Sequence, residues 1–511
     1  MANKWIVAIS VTTGAMMAAV DTSVLNIATP HLRGVFSATT SEISWISTGY
    51  LLTVVMGMPL SGWVCKHFDR KKVCQGGLFV FIIASMLCCF STDLNSLILA
   101  RVLQGMGTGI LLPVEQVILR QTFPPKEQGL AMGIYGVTIM IGPAIGPLLG
   151  GLIIDHSHWS LIFFINIPIG IAGLLMIERF VPEMPVEAST KSTGNKPDMA
   201  GIALLATALF PLLYLLERGD RLDWFETQSN VILLLVFISA ITMFCAHELM
   251  TLKPAVQLRI LANRAFSSAM LMSFVLGIVV AATLFVLPIF MQDVLGYSAT
   301  DAGMALVPRA IAMMAAFPLV GILYNYLPAR LLIAIGLLIG FYSAVLMTRF
   351  THGAGMMDVI WPQILQGISI SLILTPLSTY ALQQVQPNEL PAAAGLNAFS
   401  RQLGSTLGIA VFASLLSHFE LFVRGTLIHH MNWSDPVLRD RFSNVILFFY
   451  KNNIVDNSVA LQQGFNRLND RFMEQVIVLS YQKTFEWVAV AFVIMIFCLL
   501  IMPIRKRHIS S

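Results

Sequence analysis

Long apolar runs of about twenty residues, separated by short polar stretches, dominate the chain. About 20 residues rising 1.5 Å each cross roughly 30 Å of hydrocarbon. Fourteen such runs occur, near 5–28, 42–62, 73–92, 96–118, 128–154, 161–181, 199–217, 228–249, 266–291, 300–323, 330–350, 357–380, 393–418 and 484–503. A helix satisfies its own backbone groups in lipid, so the pattern predicts an all-α polytopic membrane protein with 14 transmembrane helices. The first run follows only Lys4 and ends in Asn26-Ile27-Ala28-Thr29-Pro30 without a small-x-small cleavage site, so it reads as a retained spanning helix.

Two stretches interrupt the rhythm. Residues 182–198, from Pro182-Glu183-Met184-Pro185 to Lys196-Pro197-Asp198, are polar and contain proline, which reads as a linker between halves. Residues 419–482 carry apolar positions at loosely helical spacing (Leu461, Phe465, Leu468, Phe472, Val476). The expectation there is an amphipathic helical hairpin on the membrane surface or against a partner, with a solvated loop over the outer mouth as the alternative.

Composition agrees with the pattern: of 511 residues, 56% are hydrophobic and 11% charged, against about 25% charged in soluble domains. The net charge of +4 leaves no basic excess for nucleic acid. Where the cations sit matters more. With the N-terminus inside, 17 Lys and Arg fall in inner segments and four (Arg33, Arg218, Arg221, Arg349) in short outer loops, which predicts both termini in the cytoplasm. The six cysteines lie in or beside apolar runs and suggest no disulfide framework. The 27 methionines read chiefly as apolar filling. No phosphate loop and no His-Glu-x-x-His occurs, and Asp155-His156-Ser157-His158 reads as an interfacial loop. The sequence therefore points to neither an enzyme nor a metal or cofactor site, and to an ion gradient as energy source.

Several helices carry ordered motifs. Helix 1 contains Asp21-Thr22-Ser23-Val24-Leu25-Asn26, and helix 4 contains Arg101-Val102-Leu103-Gln104-Gly105-Met106-Gly107. In helix 5, Gly142, Gly146 and Gly150 share one face, where a missing side chain admits another helix, and Pro143 and Pro147 should bend the backbone. Gly62 through Lys72 follow helix 2, and Phe163 through Gly170 enter helix 6. Through these five motifs, in order and over nearly its whole length, the chain resembles the major facilitator superfamily, specifically the fourteen-helix drug:proton antiporters of the EmrB/QacA type.

The resemblance implies two six-helix bundles, residues 1–181 and 250–511, joined by linker 182–198 and an inserted helix pair, 199–249. It implies that Gly142, Pro143, Gly146, Pro147, Gly150 and Gly151 form an antiporter motif at the interface of the halves; ordinary helix packing is the alternative. It makes Gly62, Asp69, Arg70 and Lys71 a cytoplasmic gate, although the family pattern has an acid where Lys66 stands and glycine where Asp69 stands. Asp69 with Arg70 is a substitute for that acid, and topological anchoring by the basic cluster is the competing reading.

Charges inside helices are scarce, and each costs at least about 2.5–3.5 kcal/mol at mid-bilayer on insertion scales. Asp21 lies ~7 Å and Arg101 ~9 Å outward of their helix midpoints, a shared depth. Since helices 1 and 4 line the cavity in the family fold, the resemblance implies that the two can meet. Asp21 is then the candidate proton-coupling carboxylate with Arg101 tuning it, against a static pair holding two helices. Asn26, Glu115, Arg309 and Arg401 are further cavity candidates; Glu115 is a receiver of cationic substrate, a second proton site, or an acid near the interface that reaches water.

Together these readings predict a proton-coupled exporter of amphipathic, cationic or lipophilic toxic compounds in a bacterial inner membrane. A periplasmic adaptor and an outer-membrane channel are implied as partners, with 419–482 the candidate adaptor contact. The rivals are an exporter of a metabolite, fatty acid or siderophore, and a membrane sensor or embedded enzyme, for which the chain shows neither an output domain nor clustered catalytic groups.

Overall fold

The computed structural model describes residues 3–183, 198–219, 224, 226–251, 254–430, 440 and 457–502. Among these residues fourteen helices are long and apolar enough to span a membrane. They are α1 Lys4–Val35, α2 Trp45–His67, α3 Arg70–Cys89, α4 Leu94–Thr122, α5 Gln128–His156, α6 Leu161–Phe180, α7 Met199–Arg218, α8 Gln228–Met250, α9 Arg264–Asp293, α10 Val307–Tyr326, α11 Ala329–Met347, α12 Met356–Gln383, α13 Leu390–His430 and α14 Asn457–Ile501. No strand occurs among the described residues. Every apolar run is one of these helices.

Polar residues just ahead of the apolar runs start several helices by accepting the free amides of the first turn. Asn3, Asp69, Asp93, Asp198 and Asn263 cap α1, α3, α4, α7 and α9 in this way. The Ser96 amide, the strongest influence on Asp93, holds that carboxyl below its ordinary value.

Helices α1 to α6 pack on one another, with α4 central against α1, α2 and α3; α9 to α14 form the second bundle. The bundles meet where α5 packs on α10 and where α13 packs on α2 and α4. Helices α7 and α8 pair with each other and attach through α7 to α2 and α13. Outward-facing apolar side chains such as Phe90, Leu99, Leu175 and Phe497 are exposed, as lipid-facing positions require.

One expectation falls outside the described residues and another changes. The linker falls mostly on residues 184–197, outside the described residues. Segment 419–482 does not lie along the surface in its described parts: α13 runs unbroken to His430 and α14 starts at Asn457. Helices of 41 and 45 residues are about 60 and 68 Å long, roughly twice the hydrocarbon thickness. These extensions touch the bundle at their near ends: Val423 and Val476 are buried, Gln482 donates to the Phe350 carbonyl at 2.7 Å and Tyr481 to Asp293 at 2.7 Å, while the Leu461 and Phe465 side chains lie outside what is described.

Candidate functional site

The interior of the first bundle is layered. One apolar cluster gathers Val11, Met17, Leu78, Phe81 and Leu111; a second gathers Val24, Leu25, Cys88, Leu97 and Phe163. Between them lies a polar layer made of Asp21 (α1), Ser85 (α3), Arg101 and Gln104 (α4) and Asn166 (α6), each at most 1% exposed. Asp21 and Arg101, placed at one depth by sequence, form an ion pair from Arg101 Nη1 to Asp21 Oδ2.

The other Asp21 oxygen, Oδ1, accepts Asn166 Nδ2 at 2.8 Å and Gln104 Nε2 at 3.1 Å. Gln104 Oε1 accepts a second bond from Arg101 Nη1 at 2.6 Å, and Arg101 Nε donates to the Ile46 carbonyl at 3.3 Å. The Ser85 hydroxyl oxygen accepts from Gln104 at 2.9 Å and from Asn166 at 3.4 Å. The guanidinium carbon lies 4.2 Å from the Tyr50 ring centre, a cation–π contact, and Tyr50 donates to Thr108 at 3.3 Å. A buried pair survives only when its remaining hydrogen-bonding capacity is met. Here Arg101 Nε and Nη1 and both Asp21 oxygens are engaged, while Asn166 Oδ1 beside them has no partner.

Every bond at Asp21 is one that a carboxylate accepts. A proton on Asp21 would turn an acceptor into a donor in a layer whose neighbours all donate to it. Rotating the Asn166 amide would offer the unpartnered Oδ1 as the acceptor. The layer can therefore hold two hydrogen-bond polarities, one of them weakening the hold on Arg101.

The pair does not sit in the cavity between halves: its partners come from α2, α3 and α6 as well as α1 and α4, all within the first bundle. Gln104 and Asn166 stood inside quoted motifs without a role, and Ser85, Tyr50 and Thr108 gave no sequence signal beyond a polar residue in an apolar run. Asn26, five residues beyond Asp21, is exposed and outside the layer.

Glu115 does not reach water. It is fully buried; Oε1 accepts the Ala15 amide at 3.1 Å, and Oε2 has no partner. Helix α4 extends to Thr122, four residues past its expected end, which moves Glu115 away from the interface. Arg309 lies in the second bundle, donating to Thr283 at 3.2 Å. Arg401 lies between the bundles beside Gln116 and Tyr135.

The glycine stripe of α5 is also displaced from its expected place. A Cβ on Gly142 or Gly146 would fall within 2.4 Å of Ala19 or 2.3 Å of Ser23, both on α1, and Gly150 faces Val24 and Ile27 of α1. Pro143 stands in the same unbroken helix, and of the Pro147 side chain nothing is described; Gly151 has open space at its Cβ. The α5 glycines that do meet the other bundle are Gly129, Gly133 and Gly136, the first against Gly321 and the other two against Phe317 of α10. Thirteen residues separate Gly129 from Gly142, a turn of about 220°, so the two sets occupy nearly opposite faces.

At the end bearing the N-terminus the bundles touch closely. A Cβ on Gly62 would lie 2.6 Å from Ala392 Cα, and Ser61 donates to the Pro391 carbonyl at 3.4 Å. Lys66 interacts electrostatically with Glu389 of the second bundle, so the acid stands on the opposite side of the contact from the family pattern. Asp69 Oδ1 accepts the Lys71 amide at 2.7 Å as the α3 cap, Arg70 donates to Gln121 at 2.5 Å and Lys71 Nζ to the Glu178 carbonyl at 2.7 Å.

The family description Major Facilitator Superfamily matches residues 11–409. The chain is similar to the multidrug export protein EmrB of Escherichia coli (strain K12), 30% identical over 443 residues, 86% of this chain and 85% of that one. It is similar to the fatty acid resistance protein FarB of Neisseria gonorrhoeae, 28% identical over 490 residues, 96% of this chain and 94% of that one. Among solved structures, the human organic anion transporter MFSD10 superposes with TM-score 0.61 at 12% identity, over 96% of this chain and 100% of that one.

Proposed function

The chain belongs to the Major Facilitator Superfamily, and from that premise we propose that it exports amphipathic toxic compounds across the inner membrane of a bacterium in exchange for protons. Two bundles touching at one end are suited to rocking about a midplane site, which alternates access. The excess of Lys and Arg in the segments on the N-terminal side supports placing both termini in the cytoplasm, and with them the close contact between bundles. The relatives named for multidrug export support a toxic, structurally varied cargo.

One observation carries the proton reading: a buried carboxylate, Asp21, whose layer accommodates a proton by rotating one amide with a free oxygen. Arg101 supplies the charge that a proton replaces. In cells, export of a fluorescent drug should stop on adding a protonophore, and Asp21→Asn should accumulate drug as the protonophore-treated cells do. Gradient-dependent efflux by that variant at the wild-type rate overturns the assignment.

The extended α13 and α14 supply a surface for a periplasmic adaptor that continues to an outer-membrane channel. Replacing 424–470 by a short Gly-Ser linker should impair export by the assembled pump more than drug binding. A second reading, export of one specific compound such as a fatty acid, is favoured by the name of the relative FarB.

A further inference from the structure

Two buried acids lie inside the first bundle, one of them paired with Arg101, whereas the surface between bundles presents a half-buried cation. Asp21 and Glu115 are enclosed within the first bundle. The inter-bundle surface carries a cation, Arg401, about 16 Å along α13 from Leu390. Arg401 lines a narrow cavity just behind the closed end, with Gln116 and Tyr135 of the first bundle, Thr375 of α12, and Phe317 and Leu374 as apolar wall.

No hydrogen bond or ion pair engages the Arg401 guanidinium among the described residues. The Tyr135 hydroxyl interacts electrostatically with the guanidinium but donates its hydrogen bond to the Leu112 carbonyl at 3.4 Å. Two more polar atoms of the cavity are buried without partners, Gln116 Oε1 and Thr375 Oγ1, on side chains 1% and 2% exposed. A guanidinium has five donors and no acceptor, and its planar fork matches a carboxylate in two parallel bonds. A cation brought beside it would meet like charge, and no acid lines this cavity.

We propose that the inter-bundle site selects amphipathic anions, the acidic head group held by Arg401 with the Thr375 hydroxyl as a further donor and the apolar body against Phe317 and Leu374. The site is contracted in this closed arrangement and takes its ligand when the bundles part at that end. The assignment rests on the export reading and names its substrate class, replacing the cationic expectation.

Binding of tritiated decanoate to detergent-purified protein, followed by scintillation proximity, tests it. Unlabelled decanoate should displace the label and decyltrimethylammonium of equal chain length should not. Arg401→Gln should weaken binding at least tenfold, as expected for a lost charged hydrogen bond, and Arg401→Lys should weaken it less. Displacement by the ammonium but not by decanoate, or unchanged binding in Arg401→Gln, overturns the proposal. Should Arg401→Gln not fold, the wild-type displacement pair and Arg401→Lys decide alone. Transport in proteoliposomes separates the two claims: uptake of tetraphenylphosphonium without decanoate sinks only the charge assignment, whereas proton-driven movement of neither sinks the export reading.

Discussion

Asp21 accepts three donors, and each should be separable by mutation. Arg101→Met leaves a buried carboxylate without its counter-charge, a loss of about 3–5 kcal/mol. Asp21→Asn strands the Arg101 guanidinium in the same way, so thermal unfolding in detergent should show a comparable fall for both variants; a negligible fall for either would show that the pair is not desolvated. Asn166→Leu removes one donor at 2.8 Å together with the free oxygen that a protonated Asp21 needs. It should therefore move the pH dependence of export while leaving drug binding near wild type; an unchanged pH profile would remove Asn166 from the proton step. Asp21 and Arg101 were legible in the sequence because charges in apolar runs are few and helical rise converts position into depth. Gln104, Ser85 and Asn166 were not, since neutral polar residues are common in such runs and only the packing of α3 and α6 decides which turn inward.

At the scale of elements, spacing gave the face of a helix but not its neighbour. Gly142 and Gly146 do share a face, yet it meets α1 and not the other half. Gly142→Ala would place a methyl 2.4 Å from the Ala19 backbone, and overpacking of this kind typically costs about 1–3 kcal/mol. Gly151→Ala meets nothing within 4 Å. The first should lower the unfolding temperature and the second should not; equal effects would show that the α1–α5 seam is not close-packed. Of the three readings of Glu115, the one in which it reaches water fails for a related reason: a boundary short by four residues moved it to the interface. A different contact ties α7 to α8, where Asp198 pairs with His247 Nε2 at 2.9 Å and accepts the Gly201 amide at 2.9 Å. Burial raises the Asp198 carboxyl, and the Gly201 amide and His247 lower it further, so it lies below its ordinary value. A depressed acid stabilises fully above its unfolded pKa, about 3.9, and the contribution is lost as pH falls through the folded value. The carboxylate's own contribution is thus constant near neutral pH and lost only in acid, which proteolysis of the 198–250 region across pH 3–7 can follow.

Hydropathy alone specified fourteen helices because each must satisfy its backbone in lipid, and five motifs suggested how they group. It left open which end is closed, a property of the contact between bundles. Gly62 at Ala392 and Gly133 at Phe317 make that closure. Gly62→Val should hold the bundles apart and favour the opposite state by roughly fivefold or more, the equivalent of about 1 kcal/mol or more of overpacking. In a background without the native cysteines, Ser378→Cys, which lines the cavity behind the closure, should then react faster with a membrane-impermeant thiol reagent added from the terminus-bearing side. No acceleration would place the closure elsewhere.

The account stands on Asp21 as the group that exchanges a proton for cargo. Purified wild type and Asp21→Asn in liposomes, with an imposed pH gradient and a labelled drug, measure this without other pumps. The account predicts uphill drug movement by wild type and none by a folded, drug-binding Asp21→Asn, which retains only downhill exchange. Uphill movement by that variant at the wild-type rate would contradict it.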